Sequence, residues 1–89
     1  MKFIKVQNIN LKGIKVIDKK IWEDNKKIEI RLCSNVNCIN KAESIGNVVL
    51  SNNGEKSYYI PLCNRCLNLS EDYSVSIKDL MLNDNSMSI

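Results

Sequence analysis

The sequence predicts an α+β fold that is mostly β, and three observations carry that expectation. Several runs alternate apolar and polar residues with a period of two, which sets one face of each run against a core and the other in water. An Asn53-Gly54 pair lies between two β-prone runs, and both residues tolerate the positive φ that tight hairpin turns require. Four cysteines fall in two short-spaced pairs, Cys33 with Cys38 and Cys63 with Cys66, in a chain of 89 residues that has no histidine. A chain this short buries only a marginal hydrophobic core, so a cross-link or a bound metal is expected to staple it.

In chain order, residues 3–9 and 11–17 read as half-buried antiparallel strands, with a bend or bulge between Asn10 and Gly13. Residues 28–32 repeat the alternation and run directly into Cys33. The polar stretch after Trp22 reads as a turn, so residues 14–32 are expected to form a hairpin. Trp22, the single tryptophan, is expected to pack into that hairpin or else to face a partner. A second hairpin pairs residues 45–50 with 56–60 through the Asn-Gly turn, and Pro61 closes it. Residues 67–72 suit a short helical turn whose backbone amides would face the cysteine sulfurs. Ser76, three residues before Asp79, resembles a capping box with aspartate in place of glutamate, which predicts a short helix over residues 77–82. The organisation expected is one domain over residues 1–82: N-terminal strands 1–32, a cysteine finger 33–72, and a short helix or strand 73–82. A loose tail, 83–89, follows.

The net charge of +3 is unevenly distributed. Residues 1–31 carry nine basic and four acidic side chains, whereas residues 71–89 carry one basic and four acidic. The basic half could steer toward phosphate or toward an acidic protein patch, although lysines that alternate with apolar residues are also what the solvated face of a sheet looks like. No stretch approaches the twenty or so apolar residues of a membrane span, so no membrane partner is expected. The N-terminal segment intersperses lysine among its apolar residues and shows no uninterrupted secretory core, which predicts a reducing, cytoplasmic setting.

In such a setting two short-spaced cysteine pairs are better explained by one structural zinc ion than by disulfides. Zinc prefers four tetrahedral ligands, and a site made of Cys33, Cys38, Cys63 and Cys66 is closed, with no position left for substrate. The missing histidine removes the commonest general base and the usual ligands of catalytic zinc.

The order of these features carries a resemblance. Cys33-x4-Cys38 is followed by Lys41-Ala42, then by Ile45-Gly46-Asn47-Val48, and then by Tyr59-Ile60-Pro61-Leu62-Cys63-Asn64-Arg65-Cys66. Over residues 30–70 this resembles a treble-clef zinc finger, and more narrowly the small bacterial and phage proteins related to the HNH nucleases. In that family a histidine follows the glycine and acts as general base beside a catalytic metal; here Asn47 occupies the position. An asparagine amide cannot accept a proton at neutral pH, so the resemblance implies a finger that keeps its structural zinc and has lost its hydrolytic chemistry. A carboxylate set such as Glu43, Glu55 and Glu71 could in principle bind a catalytic cation, though nothing in their spacing requires it.

Three classes of function follow. The first is a non-catalytic module that binds a protein or nucleoprotein partner, such as an accessory or inhibitor of nucleic-acid-processing or defence nucleases. The abundance of asparagine, isoleucine and lysine over arginine suits an AT-rich phage or bacterial genome. The second is a direct DNA- or RNA-binding finger, and the third a degenerate nuclease. The candidate contact residues are Lys12, Lys15, Lys19, Lys20, Trp22, Lys26, Lys27, Arg31, Asn47, Tyr58, Tyr59 and Arg65. No catalytic residue is assigned.

Overall fold

Alternation in the sequence becomes a two-faced sheet in the computed structural model, which describes residues 2–9 and 17–82. The elements are β1 (Phe3–Asn8), α1 (Lys19–Lys26), β2 (Ser44–Leu50), β3 (Asn53–Leu62), α2 (Asn64–Leu67), β4 (Tyr73–Ser76), a 3-10 turn (Ile77–Asp79) and β5 (Met81–Leu82). The five strands form one sheet in the order β4-β1-β2-β3-β5, and every neighbouring pair is antiparallel. The fold is therefore small, α+β and mostly β, as the sequence predicts.

Register sorts the side chains. Val6 lies opposite both Leu50 and Tyr73, Val48 opposite Tyr58, and Gly46 opposite Ile60, so these residues share one face. That face forms the larger core, in which Val6, Val48, Ile60, Leu62, Tyr73 and Val75 pack with Cys33, Cys63 and Cys66. The opposite face carries Ile45 and Tyr59, which pack with Ile17 and with Trp22 of α1 in a smaller cluster.

The sheet is curled. Its edge strands β4 and β5 would lie about 19 Å apart in a flat sheet of five strands. Only residues 77–80 join them, three of which sit in the 3-10 turn, and that connection spans about 13 Å. The edges must bend toward each other. Residues 34–36 tie the two sides together on the way: Ser34 N donates to Pro61 O at 2.9 Å, Val36 N donates to Ser74 O at 3.0 Å, and Asn35 bridges to Val75.

Gly46 marks the tightest approach in this core. A Cβ there would lie 2.5 Å from Leu62 Cδ1 and 3.0 Å from Leu67 Cδ2. The bare glycine lets the end of β3 and helix α2 close over β2, which brings Cys63 and Cys66 against the sheet.

Five expectations for the elements are corrected. The hairpin expected over residues 14–32 is absent from its described part, where α1 stands instead. Asp18 caps this helix, its Oδ1 accepting from Ile21 N at 3.0 Å, and Lys27 ends it with φ 58° in the left-handed region. Alternation in residues 28–32 leads to no named strand; only Leu32 forms an isolated bridge, to Lys41. The tight turn falls at Ser51-Asn52, because Leu50 pairs with Asn53, and Asn53-Gly54 begins β3. Residues 77–82 are not a helix: the 3-10 turn gives way to β5, and the Ser76 side chain makes no capping bond. Similarly, the helix expected over 67–72 ends at Leu67, having begun at Asn64. The strand expected over 11–17, apart from buried Ile17, and the tail 83–89 lie outside the described residues.

Trp22 holds α1 to the sheet. It is 1% exposed, and its indole Nε1 donates to Tyr59 O of β3 at 3.2 Å and to Asp79 O of the 3-10 turn at 3.3 Å. Replacing it removes both the packing and the shared donor. Trp22→Ala is expected to cost about 3–5 kcal/mol, measured by chemical denaturation followed by circular dichroism. Trp22→Phe, which keeps most of the volume and removes the donor shared by the two carbonyls, is expected to cost about 1–3 kcal/mol.

Candidate metal centre

The four cysteines arrive from two local structures. Cys33 and Cys38 flank a tight loop in which Asn35 Oδ1 accepts from Asn37 N at 3.0 Å and Asn35 O accepts from Cys38 N at 3.0 Å. This loop is closed at its base by Cys33 N donating to Asn40 O at 2.9 Å. Cys63 is the residue before α2, with extended backbone, and Cys66 lies inside that helix. Leu67 N donates to Cys63 O at 3.1 Å, so the Cys-x2-Cys spacing turns both sulfurs to one side.

All four sulfurs lie within 4.8 Å of one another, and none is in a disulfide. Cys38 Sγ and Cys63 Sγ are 3.7 Å apart. A tetrahedral ion with metal–sulfur bonds of about 2.3 Å holds its sulfurs about 3.8 Å apart, so a small contraction of this cluster accommodates one ion. Four soft thiolates in tetrahedral array suit zinc or iron and leave no open coordination position. Among the described residues no other group of three or more ligating side chains converges in this way, and Glu43, Glu55 and Glu71 form no such set.

Burial and sulfur crowding govern protonation. Burial pushes the Cys33 and Cys66 thiols up, and the neighbouring Cys33 and Cys63 add to the effect at Cys66. Burial also raises Cys63, but the Cys66 backbone amide, the Cys66 thiol, the Asn40 side chain and Cys38 outweigh it and hold this thiol at about 6. One sulfur of the cluster is thus readily ionised while others hold their protons. A bound cation supplies the charge that lets all four ionise, displacing protons as it binds.

Several polar residues outside the cysteine pattern complete the site. Asn35 Nδ2 donates to Cys66 Sγ at 3.5 Å and Asn40 Nδ2 to Cys63 Sγ at 3.8 Å, contacts that disperse thiolate charge. Asn8 of β1 reaches over the helix end, donating through Nδ2 to Cys66 O at 2.8 Å and Leu69 O at 3.0 Å. Its Oδ1 accepts from the Tyr73 hydroxyl at 2.6 Å. Burial, with the Cys66 and Cys33 charges behind it, pushes the Tyr73 phenol up, which keeps this donor protonated. Sequence reasoning missed Asn8 and Tyr73, which lie 58 and 7 positions from Cys66 and carry no spacing signal. Asn35 and Asn40 could have been found, because both lie within two residues of a cysteine.

The candidate contact residues divide sharply. Lys19, Lys20, Lys27, Arg31 and Arg65 are exposed. Lys26 is half-buried, and its Nζ donates to Leu80 O at 3.0 Å. Trp22 and Tyr59 are buried in the smaller core, and half-buried Tyr58 packs against the larger one, so these three aromatics do not form an exposed anchor or stacking platform. Asn47 shares the face of Ile45 and Tyr59 and so points away from the cysteine cluster. Its amide is buried rather than solvent-facing, with no hydrogen-bond partner among the described residues. Lys12 and Lys15 lie outside the described residues.

Comparison with known proteins adds no relative. No family model matches the chain, no curated protein is detectably similar, and no solved structure matches its fold. Among the described residues no helix is long and apolar enough to cross a membrane.

Two outcomes are expected at this site. Cys66→Ser, or a strong chelator, removes the ion and lowers the melting temperature by about 4–8 °C for each kcal/mol lost; metal content by native mass spectrometry and a thermal melt on the same sample check this. Asn35→Ala leaves the four ligands in place and is expected to weaken metal affinity about 10- to 100-fold in a competition titration against a chromogenic chelator.

Proposed function

We propose that this protein is a zinc-stabilised binding module of treble-clef type, without hydrolytic chemistry, that docks on a protein or nucleoprotein partner. The observation that carries this reading is the closed tetrad: the four sulfurs converge on one another, three of them buried, so an ion held there serves as a joint between loop and helix. The treble-clef reading is supported by the chain order of a cysteine loop, the β2–β3 hairpin, and a second cysteine pair at the start of a helix. The absence of chemistry is supported by Asn47, whose amide faces away from the tetrad and has no proton-accepting capacity at neutral pH.

Surface composition favours protein over bare nucleic acid. Four of the exposed large apolar side chains, Phe3, Ile28, Leu32 and Val36, line a single groove, and Leu32 and Phe3 are 58% and 52% exposed. Apolar side chains gathered in one groove suit a protein surface. The basic residues nearest the site are interleaved with acids: Arg31 and Lys78 share this groove with Glu29 and Asp79, and Arg65 shares a cleft with Glu71 and Asp72. Such pairing weakens a phosphate track, which needs uncompensated positive charge. An accessory or inhibitor of phage or bacterial nucleic-acid machinery fits a domain of this size, composition and closed metal joint.

An affinity capture from host lysate, with and without nuclease treatment, tests the proposal. A defined protein partner retained after nuclease treatment is expected, together with no cleavage of DNA or RNA in magnesium, manganese or zinc. Tight binding to free DNA or RNA at about 150 mM salt, with capture lost on nuclease treatment, would replace this reading with that of a nucleic-acid-binding finger. Cleavage that disappears in Asn47→Ala would establish an enzyme.

A further inference from the structure

Cys38 differs from the other three cysteines. Cys33, Cys63 and Cys66 are buried, whereas Cys38 is only partly so. It lines an open cleft of about 230 Å³ beside Asn37, Arg65 and Tyr73. That volume is several times the roughly 30 Å³ share of one water molecule, so a peroxide or a small alkylating reagent can reach this sulfur without unfolding the loop. Cys66 lines the same cleft but is 2% exposed.

The amide donors are also unevenly shared. Asn35 serves Cys66 and Asn40 serves Cys63, and among the described residues no side-chain amide reaches Cys33 Sγ or Cys38 Sγ. A thiolate that accepts N–H hydrogen bonds has less electron density to offer an electrophile, so donor placement leaves Cys33 and Cys38, and exposure selects Cys38 between them. Cys38 Sγ faces Cys63 Sγ at 3.7 Å, which supplies a second thiol in position to react.

We propose that Cys38 is the modification site of this protein for soft electrophiles, and that oxidation by peroxide closes a Cys38–Cys63 disulfide that dismantles the tetrad. In the first step the Cys38 thiolate attacks one peroxide oxygen. The O–O bond breaks, Cys38 becomes the sulfenic acid, and hydroxide leaves. In the second step the Cys63 thiolate attacks the Cys38 sulfur, the S–O bond breaks, a second hydroxide leaves, and the disulfide forms. Two sulfurs have each given up one electron, and one peroxide has been reduced to two hydroxide ions. Two of four donors are then lost to any ion held there. Cys38 also lines the apolar groove with Leu32 and Val36, so the rearrangement reshapes that groove and makes partner docking sensitive to oxidant. Ion release and docking control rest on the zinc-module reading; the order in which the sulfurs react does not.

The test uses the full chain as purified, with its metal content first read by native mass spectrometry. Limiting N-ethylmaleimide is expected to label Cys38 at least roughly fivefold more than any other cysteine, as read by peptide fragmentation. One equivalent of hydrogen peroxide is expected to yield a Cys38–Cys63 cross-linked peptide, with release of the ion to a chromogenic chelator and recovery after dithiothreitol. First labelling at Cys33, Cys63 or Cys66, equal labelling of all four, or a Cys33–Cys38 or Cys63–Cys66 disulfide as the main product overturns the proposal. A chain that carries no metal instead overturns the zinc reading, and its labelling order and disulfide still decide the role of Cys38.

Discussion

The structure depends on four sulfurs converging within a space that one ion can fill. Each cysteine pair belongs to a short irregular segment that could not hold its own shape: a six-residue loop from Cys33 to Cys38, and a helix of four residues after Cys63. A helix of one turn has almost no intrinsic stability, because the cost of nucleation is spread over too few hydrogen bonds. These segments nevertheless contribute to the larger core, since Cys33, Cys63 and Cys66 pack directly against Val6, Ile60 and Val75. The sulfur cluster therefore serves as both a joint and a wall of the hydrophobic interior.

Around that joint the polar groups are arranged to tolerate burial. Asn8 is the clearest case: both its amide donors and its oxygen are engaged, linking β1 to the end of α2 and to Tyr73 of β4. A half-buried amide with its capacity filled fixes the relative position of three elements, whereas the same group buried and left unpaired would cost about 1–3 kcal/mol. Residues 34–36 perform a similar task with backbone groups alone, bonding to β3 on one side and β4 on the other. The loop that presents Cys33 and Cys38 is thus also the strap across the curled sheet, so the integrity of the sulfur cluster and the curvature of the sheet are mechanically linked. That linkage is why a change at one partly exposed sulfur can reach a groove on the outer surface.

Local chemistry explains where sequence reading succeeded and failed. The β2–β3 hairpin was legible because Val48, Tyr58 and Ile60 fall on one side of two alternating runs and require a buried face there. Even so, its turn moved two residues earlier: Leu50 pairs with Asn53, and a register shift between Val49 and Leu50 separates that pairing from the regular ladder that holds Val48 and Ile60 on the cysteine side. Helix α1 was missed because the segment Lys19–Lys26 is mostly charged, and its helical signals reduce to the Asp18 cap and one buried residue, Trp22. Its existence is decided by the indole reaching two carbonyls that lie 37 and 57 positions further along the chain. The surface was misjudged for the same reason: aromatic residues look like contact residues in a sequence, yet Trp22 and Tyr59 fill the smaller core of a chain with only five aromatic side chains.

What the sequence determined by itself is the mostly β class, the hairpin between the cysteine pairs and the identity of the four sulfurs, because these are set by spacing and period over a few residues. Tertiary structure alone decided the helix at Trp22, the curl that brings β4 and β5 toward each other, the asparagines that serve the sulfurs, and the single partly open position at Cys38. Each of those depends on groups distant in sequence meeting in space, where burial and hydrogen-bond geometry, rather than local propensity, set the outcome.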